Sequence, residues 1–350
     1  MRTLDRYVAG AVILGTLLVL AVLLAMFTFF ATIDELGDVG EGTYGIGDAL
    51  AHVALTLPQS ALEVFPVAAL IGTLMSLGAL AASSELTVIR AAGVSVARVS
   101  GAAMQGGALL MVGALILGEL VAPPLAAVAD ERRARAGAGD AGPGLWSRDG
   151  NSFIHIGRIV ADERVENVSI FELDEARRLR VSTHAWGATY RDGAWHLEGV
   201  RQTEITADGV STRALPAARW ASDLGPALIR VARVEPEQMS ARALGRYVRY
   251  LEANGQDTAP YAIVLWAKLV TPVTTGVMIL LAIPVVFGPL RTASVGSRIL
   301  VGALVGIGFH VVNQVFMQIG LVYGLPPLLA ASAPTLVAGA AAVGLLRRVR

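Results

Sequence analysis

Cysteine is absent from this 350-residue chain. That excludes a disulfide framework, a thiolate nucleophile and any Cys-type metal site. Lysine is almost absent: Lys268 is the single one among 28 basic residues. No G-x-x-x-x-G-K-[ST] segment exists, so the chain binds no ATP through a P-loop of its own. H-E-x-x-H and G-x-S-x-G are missing as well. The five histidines, His52, His155, His184, His196 and His310, are scattered without metal-ligand spacing, and no metal site is expected. Formal net charge is zero, so no basic excess points to nucleic acid. What the chain has instead is apolar length. It is 54% hydrophobic with a mean hydropathy of +0.60, well above the soluble norm of roughly 45–50% apolar. This is the composition of a polytopic membrane protein.

The uncharged runs locate six spans. Val8 to Ile33 runs 26 residues without charge, or roughly 39 Å of helix. This is far longer than a signal-peptide core and reads as a retained first span. An acidic, glycine-rich connection follows, with Asp34, Glu35, Asp38, Glu41 and Asp48, and Pro58 and Glu63 mark the approach to a second span at Val64–Ser84. The third span is Val99–Gly118, after which Glu119–Arg135 turns polar and helical, ending in Arg132, Arg133 and Arg135. Gly137–Gly144 reads as a flexible linker. From Leu145 to about Val234 the pattern changes to alternating strands, with Asp192-Gly193 and Asp208-Gly209 as hairpin turns, which suggests a small sandwich or jelly roll. Ser240 then caps an amphipathic helix, Ala241–Ala253, closed by Asn254-Gly255. Tyr261–Leu290 is a fourth span, and Ile299–Leu346 is split by Tyr323-Gly324-Leu325-Pro326-Pro327 into a fifth and sixth.

Short loops set the orientation. One side holds Arg2, Arg6, Arg90, Arg98, Arg291, Arg298, Arg347, Arg348 and Arg350 against only Asp5 and Glu85, while the opposite short loops hold five acids and no base. The positive-inside rule places both termini in the cytoplasm and the β domain outside the inner membrane.

The stretch around which the spans are arranged is Ser83–Gly93. Ser83 or Ser84 suits an N-cap, Glu85 the first turn, and Gly93 a left-handed C-terminal cap. A short helix pinned between two spans is either a tidy amphipathic loop or a relay that carries motion from a partner into the membrane. In the fifth span His310, Asn313, Gln314 and Gln318 share a helical face. This face suits interhelical hydrogen bonding, a proton relay or an intramembrane enzyme. Lys268 either snorkels to the interface or meets an anionic substrate. Gly302, Gly306 and Gly308 allow close helix contact, so a second membrane subunit is expected. A membrane anchor whose β domain docks periplasmic proteins is the remaining alternative.

In order along the chain stand Leu4-Asp5-Arg6-Tyr7, Phe65-Pro66-Val67-Ala68-Ala69-Leu70-Ile71-Gly72, Ser84-Glu85-Leu86-Thr87-Val88 through Ala92-Gly93, and Glu119-Leu120-Val121-Ala122-Pro123. Leu145-Trp146 with Asp149-Gly150-Asn151-Ser152-Phe153, Gly288-Pro289-Leu290-Arg291 and Val322-Tyr323-Gly324-Leu325-Pro326-Pro327 complete the set. With these segments essentially the whole chain resembles the LptF/LptG (YjgP/YjgQ) permeases of the lipopolysaccharide export ABC transporter, and it is more similar to the LptG branch. The resemblance implies an α+β membrane protein with six transmembrane helices and a periplasmic β-jellyroll domain between spans three and four. The implied division is 1–136 (spans one to three, coupling helix about 84–93), 137–239 (linker and jellyroll) and 240–350 (connecting helix and spans four to six). It also implies an LptF-like permease partner, an LptB-like ATPase dimer that supplies ATP and magnesium chemistry, an LptC-like periplasmic protein and lipopolysaccharide as cargo. The chain itself would be non-catalytic and free of cofactors. Ser84, Glu85, Thr87, Arg90 and Gly93 would form the ATPase-coupling segment, with Glu85 facing a basic group. Arg132, Arg133, Lys268 and Phe65 would belong to the substrate cavity. One departure stands out: where the family often has lysines at the outer end of span one, this chain has Ala31, Gly37 and Asp38 beside Asp34 and Glu35.

Overall fold

The computed structural model describes residues 3–136, 145–161, 163–174, 177–206, 209–220, 222, 225–226, 236–288 and 294–348. The 137–144 linker, Asp208, Pro289–Arg291, Arg2 and Arg350 lie outside the described residues. Six helices in the described chain are long and apolar enough to cross a membrane. The chain divides into two units, a helical one and one built on a β-sheet.

In the helical unit α1 is Thr3–Leu36 and α2 is Ile46–Ala82. The second helix begins 18 residues before the uncharged run at Val64 and carries both Pro58 and Pro66 inside it. Two features explain the early start. Asp48 accepts a hydrogen bond from the Gly45 amide at 3.1 Å and closes the first turn, and Ala49 and Val53 are already buried. A short helix α3, Glu85–Ala91, links α2 to α4, Val96–Ile116. At Leu117–Val121 the helix widens into a π turn and continues as α5, Ala122–Arg135, with Pro123 in its opening turn, where a missing amide costs nothing. After the sheet come α6 (Ala241–Ala253), α7 (Ala259–Phe287), α8 (Val295–Tyr323) and α9 (Pro327–Arg348). The α8–α9 break falls at Gly324, whose φ of +65° is a left-handed cap, followed by Pro326 and Pro327.

α2 is the hub of this unit. Its residues Phe65, Leu70, Leu74 and Leu77 join Val8 and Val12 of α1, Val99 and Ala103 of α4, and Ile279 and Ile283 of α7 in one core. Backbones meet where side chains vanish. A Cβ on Gly72 would stand 2.5 Å from the Thr16 backbone, and one on Gly15 would stand 2.6 Å from the Gly72 carbonyl. Gly302 and Gly306 of α8 are buried against Leu74, Ile71 and Val67 of α2. Two of the glycines expected to serve a second subunit therefore serve the chain's own packing, while Gly308 is open.

In the other unit six antiparallel strands pair in chain order: β1 Leu145–Asp149, β2 Ser152–Ala161, β3 Arg164–Leu173, β4 Leu179–Arg191, β5 Ala194–Thr206 and β6 Gly209–Trp220. What the resemblance implies as a jellyroll is thus, among the described residues, a six-stranded meander. Alternation puts Ile154, Ile156, Val168, Ile170, Ala185, Trp195 and Leu197 into one core. The β4–β5 turn has Asp192 and Gly193 at φ +50° and +74°, the pair of positive angles that a two-residue hairpin needs. The indole of Trp186 lies over Gly199, where a Cβ would stand 1.8 Å from its ring. The sequence reading groups α6 with the C-terminal half, but from Ala243 onward it clusters with the sheet. Leu244, Tyr247, Val248 and Leu251 form a buried stripe at helical spacing on this helix.

Candidate functional site

Two polar clusters sit at opposite ends of α1, roughly 50 Å apart for 34 residues of helix. The first is built around α3. Leu86 is 3% exposed and Ile89 packs on the core, so positions i and i+3 pin one side of the helix. The opposite side shows Thr87, Val88 and Arg90 to the outside, with Val88 at 66% exposure. The C-terminus closes as expected: Gly93 takes φ +85°, its amide donates to the Arg90 carbonyl, and the Val94 amide donates to the Ile89 carbonyl at 3.3 Å. The N-terminus does not close as expected. Ser84 occupies the cap position but sits left-handed at φ +61° and makes no side-chain cap bond. Ser83 instead spends its hydroxyl on the carboxylate of Glu85, at 2.9 Å. The other Glu85 oxygen accepts from the hydroxyl of Tyr7 at 2.7 Å. The Tyr7 bond above all, then the Ser83 bond, hold the Glu85 carboxyl below its ordinary pKa. In the first turn of α4, Arg98 faces Asp5 at 3.6 Å.

The second cluster lies where α1, the α1–α2 connection, α2 and α5 meet. Glu35, only 9% exposed, accepts from the Tyr44 hydroxyl at 2.6 Å and faces the Arg133 guanidinium at 3.2 Å. Arg133 also holds Asp38, and His52 approaches Glu35 at 3.9 Å. Burial first, then the hydrogen bond to the ionised Glu35, push the Tyr44 phenol far above its ordinary pKa. Of the residues expected in a cavity, Arg133 thus has its charge met inside the chain, and Arg132 is exposed. Lys268 is half-buried on α7, and Phe65 packs in the core at 5% exposure. Glu35 and Asp38, at and just beyond the C-terminal end of α1, are the counter-ions of Arg133. Sequence reasoning did not connect them, because Glu35 and Arg133 are 98 residues apart. Tyr44 was missed although it is only 9 residues from Glu35, because it sits in the α1–α2 connection, where no helical periodicity links the two.

Glu119, named only as a motif residue, accepts from the amides of Ala241 at 2.8 Å and Arg242 at 3.2 Å. It caps the first turn of α6 from 122 residues away. On α8 His310, Gln314 and Gln318 are exposed, and Asn313 is half-buried.

Six membrane-length helices, a short helix between the second and third, and an inserted antiparallel sheet define a multi-pass membrane protein. The family model described as lipopolysaccharide export system permease LptF/LptG matches residues 6–348. Lipopolysaccharide export system permease protein LptG from Escherichia coli K12 is 32% identical over 339 residues, covering 95% of this chain and 94% of its own length. LptG from Haemophilus influenzae is 32% identical over 343 residues, covering 96% of both chains. LptF from Escherichia coli K12 matches over only 99 residues, 28% of this chain and 27% of its own, again at 32% identity. The chain belongs to the LptF/LptG family of permeases.

Proposed function

We propose that this chain is the LptG-like permease subunit of an ATP-driven exporter that extracts lipopolysaccharide from the inner membrane. Whole-length similarity to two LptG proteins supports the LptG branch and the cargo named for them. In this reading a second, LptF-like permease completes the membrane part. An LptB-like ATPase dimer hydrolyses ATP with magnesium below it, and an LptC-like protein receives the lipid from the β domain. Both termini and α3 face the cytoplasm, and the sheet faces the periplasm, in keeping with the arginine bias of the short loops.

The observation that carries the coupling role is α3 itself. Leu86 and Ile89 fasten it to the membrane core while Thr87, Val88 and Arg90 remain outside, so a push on its outer face must move α2 and α4. Ser84, Glu85, Thr87, Arg90 and Gly93 are assigned to that contact. The family does not favour the anchor or the intramembrane-enzyme alternative.

Two measurements test the reading. Affinity purification of the chain from detergent-solubilised membranes should recover a cytoplasmic ATPase, a second six-span subunit and a phosphorylated glycolipid; a lone chain would defeat it. Glu85→Arg should abolish export while the chain still inserts and folds, and normal export by that variant with an unaltered ATPase would argue against the coupling role.

A further inference from the structure

In the Leu4–Tyr7 segment Leu4 packs on the core, while Asp5 and Tyr7 serve neither that core nor the proposed ATPase contact. Tyr7 reaches across 78 residues to one oxygen of Glu85 at 2.7 Å, and Ser83 holds the other at 2.9 Å. Both oxygens are engaged, so the carboxylate has one orientation. Two residues earlier on α1, Asp5 faces Arg98 in the first turn of α4 at 3.6 Å. The foot of α1 therefore holds the first residue of α3 and, beyond α3, the first turn of α4. Between these attachments Leu86 shares its core with Val8 and Val12 of α1. Exposed polar pairs of this kind contribute little to stability, and the apolar contact of α1 with α2 and α4 holds the unit together without them. Their effect is geometric.

We propose that Tyr7 is a positioning residue for Glu85, and that Asp5 and Tyr7 clamp the foot of α1 to the first turn of α3 and to the first turn of α4 that follows it. The movement of α3 then passes directly into α1, rather than reaching it only through α2 and α4. This rests on the exporter reading: with α3 taking the push of an ATPase, α1 is the first span to feel it. The left-handed backbone of Ser84 supports the same view. A serine at φ +61° sits between the two residues, Ser83 and Glu85, that these bonds join.

The test is Tyr7→Phe, which keeps the ring and removes only the hydroxyl. The assembled complex, reconstituted in vesicles with lipopolysaccharide, is assayed for lipid exported per ATP hydrolysed. The clamp requires that ratio to fall about fivefold or more; an unchanged ratio overturns it. Infrared titration of isotopically labelled glutamate gives a second reading that a purely structural role would not move. The Glu85 carboxyl should rise toward an ordinary value in Tyr7→Phe, and an unmoved titration also overturns the clamp. If the unaltered complex exports no lipid, the exporter reading falls and the clamp with it. If the unaltered complex exports and Tyr7→Phe exports equally well per ATP, only the clamp falls.

Discussion

Arg133 and Arg132 are neighbours with opposite circumstances. Arg133 compensates Glu35, a carboxylate that is only 9% exposed, while Arg132 is exposed. Removing one partner of a buried pair strands the other charge, which costs about 3–5 kcal/mol in full burial. Asp38 and Arg133 are each about a third exposed, so the cost falls at or below the lower end of that range. Arg133→Gln is expected to destabilise the helical unit by ~2–3 kcal/mol, and Arg132→Gln by less than ~0.5 kcal/mol. Thermal unfolding in one detergent checks both. Tyr44 and Glu85 give pH dependences of opposite sign. The raised phenol of Tyr44 contributes stability that is complete below the pKa of an unfolded tyrosine and lost only as pH rises through its higher folded value. Ultraviolet titration should show a late tyrosine ionisation that Tyr44→Phe removes. The depressed carboxyl of Glu85 contributes stability above the ordinary carboxylate range and loses it as pH falls through the lower folded value.

Among the elements, the α1–α2 crossing is the most exacting, because backbone meets backbone at Gly15 and Gly72. A methyl there has no flexible neighbour to displace. Gly72→Ala should cost about 1–3 kcal/mol through enforced helix separation. Gly101→Ala in α4, where a Cβ would meet nothing within 4 Å, should be neutral or stabilising by up to ~1 kcal/mol of helix propensity. Parallel melts of the two variants test the comparison. Gly78 illustrates a different demand. It makes room for the side chain of Arg298, buried to 1% exposure, whose Cδ would stand 2.5 Å from a Cβ at that position. Much at this scale was legible in the residues: the six spans, the break at Gly324–Pro327, the Gly93 cap, the amphipathic α6 and the Asp192-Gly193 turn all follow from local pattern. The start of α2 was not, because the eye stops at Pro58 and at the charge of Glu63. A long helix in a packed bundle tolerates both when its neighbours cover the freed backbone groups.

At the scale of the whole molecule, α8 is the span with least of its surface inside the helical unit, and it carries exposed His310, Gln314 and Gln318. Polar groups at membrane depth face a protein neighbour or a wet cavity. Gln314→Leu with Gln318→Leu should leave the chain's own melting unchanged, since these side chains are not part of its core. If the proposed LptF-like subunit covers this face, the same pair should weaken its co-purification severalfold. Composition, run lengths and arginine bias determined by themselves that this is a six-span protein with a β insertion, because hydropathy and backbone satisfaction in lipid leave few other solutions. Tertiary structure alone decided which charges meet. Tyr7 with Glu85, Asp5 with Arg98, Glu35 with Arg133, and Glu119 with the first turn of α6 join residues 78 to 122 positions apart. No local periodicity encodes such pairs. They exist because helix packing, set by apolar area and glycine contacts, brings distant helix ends within hydrogen-bond reach.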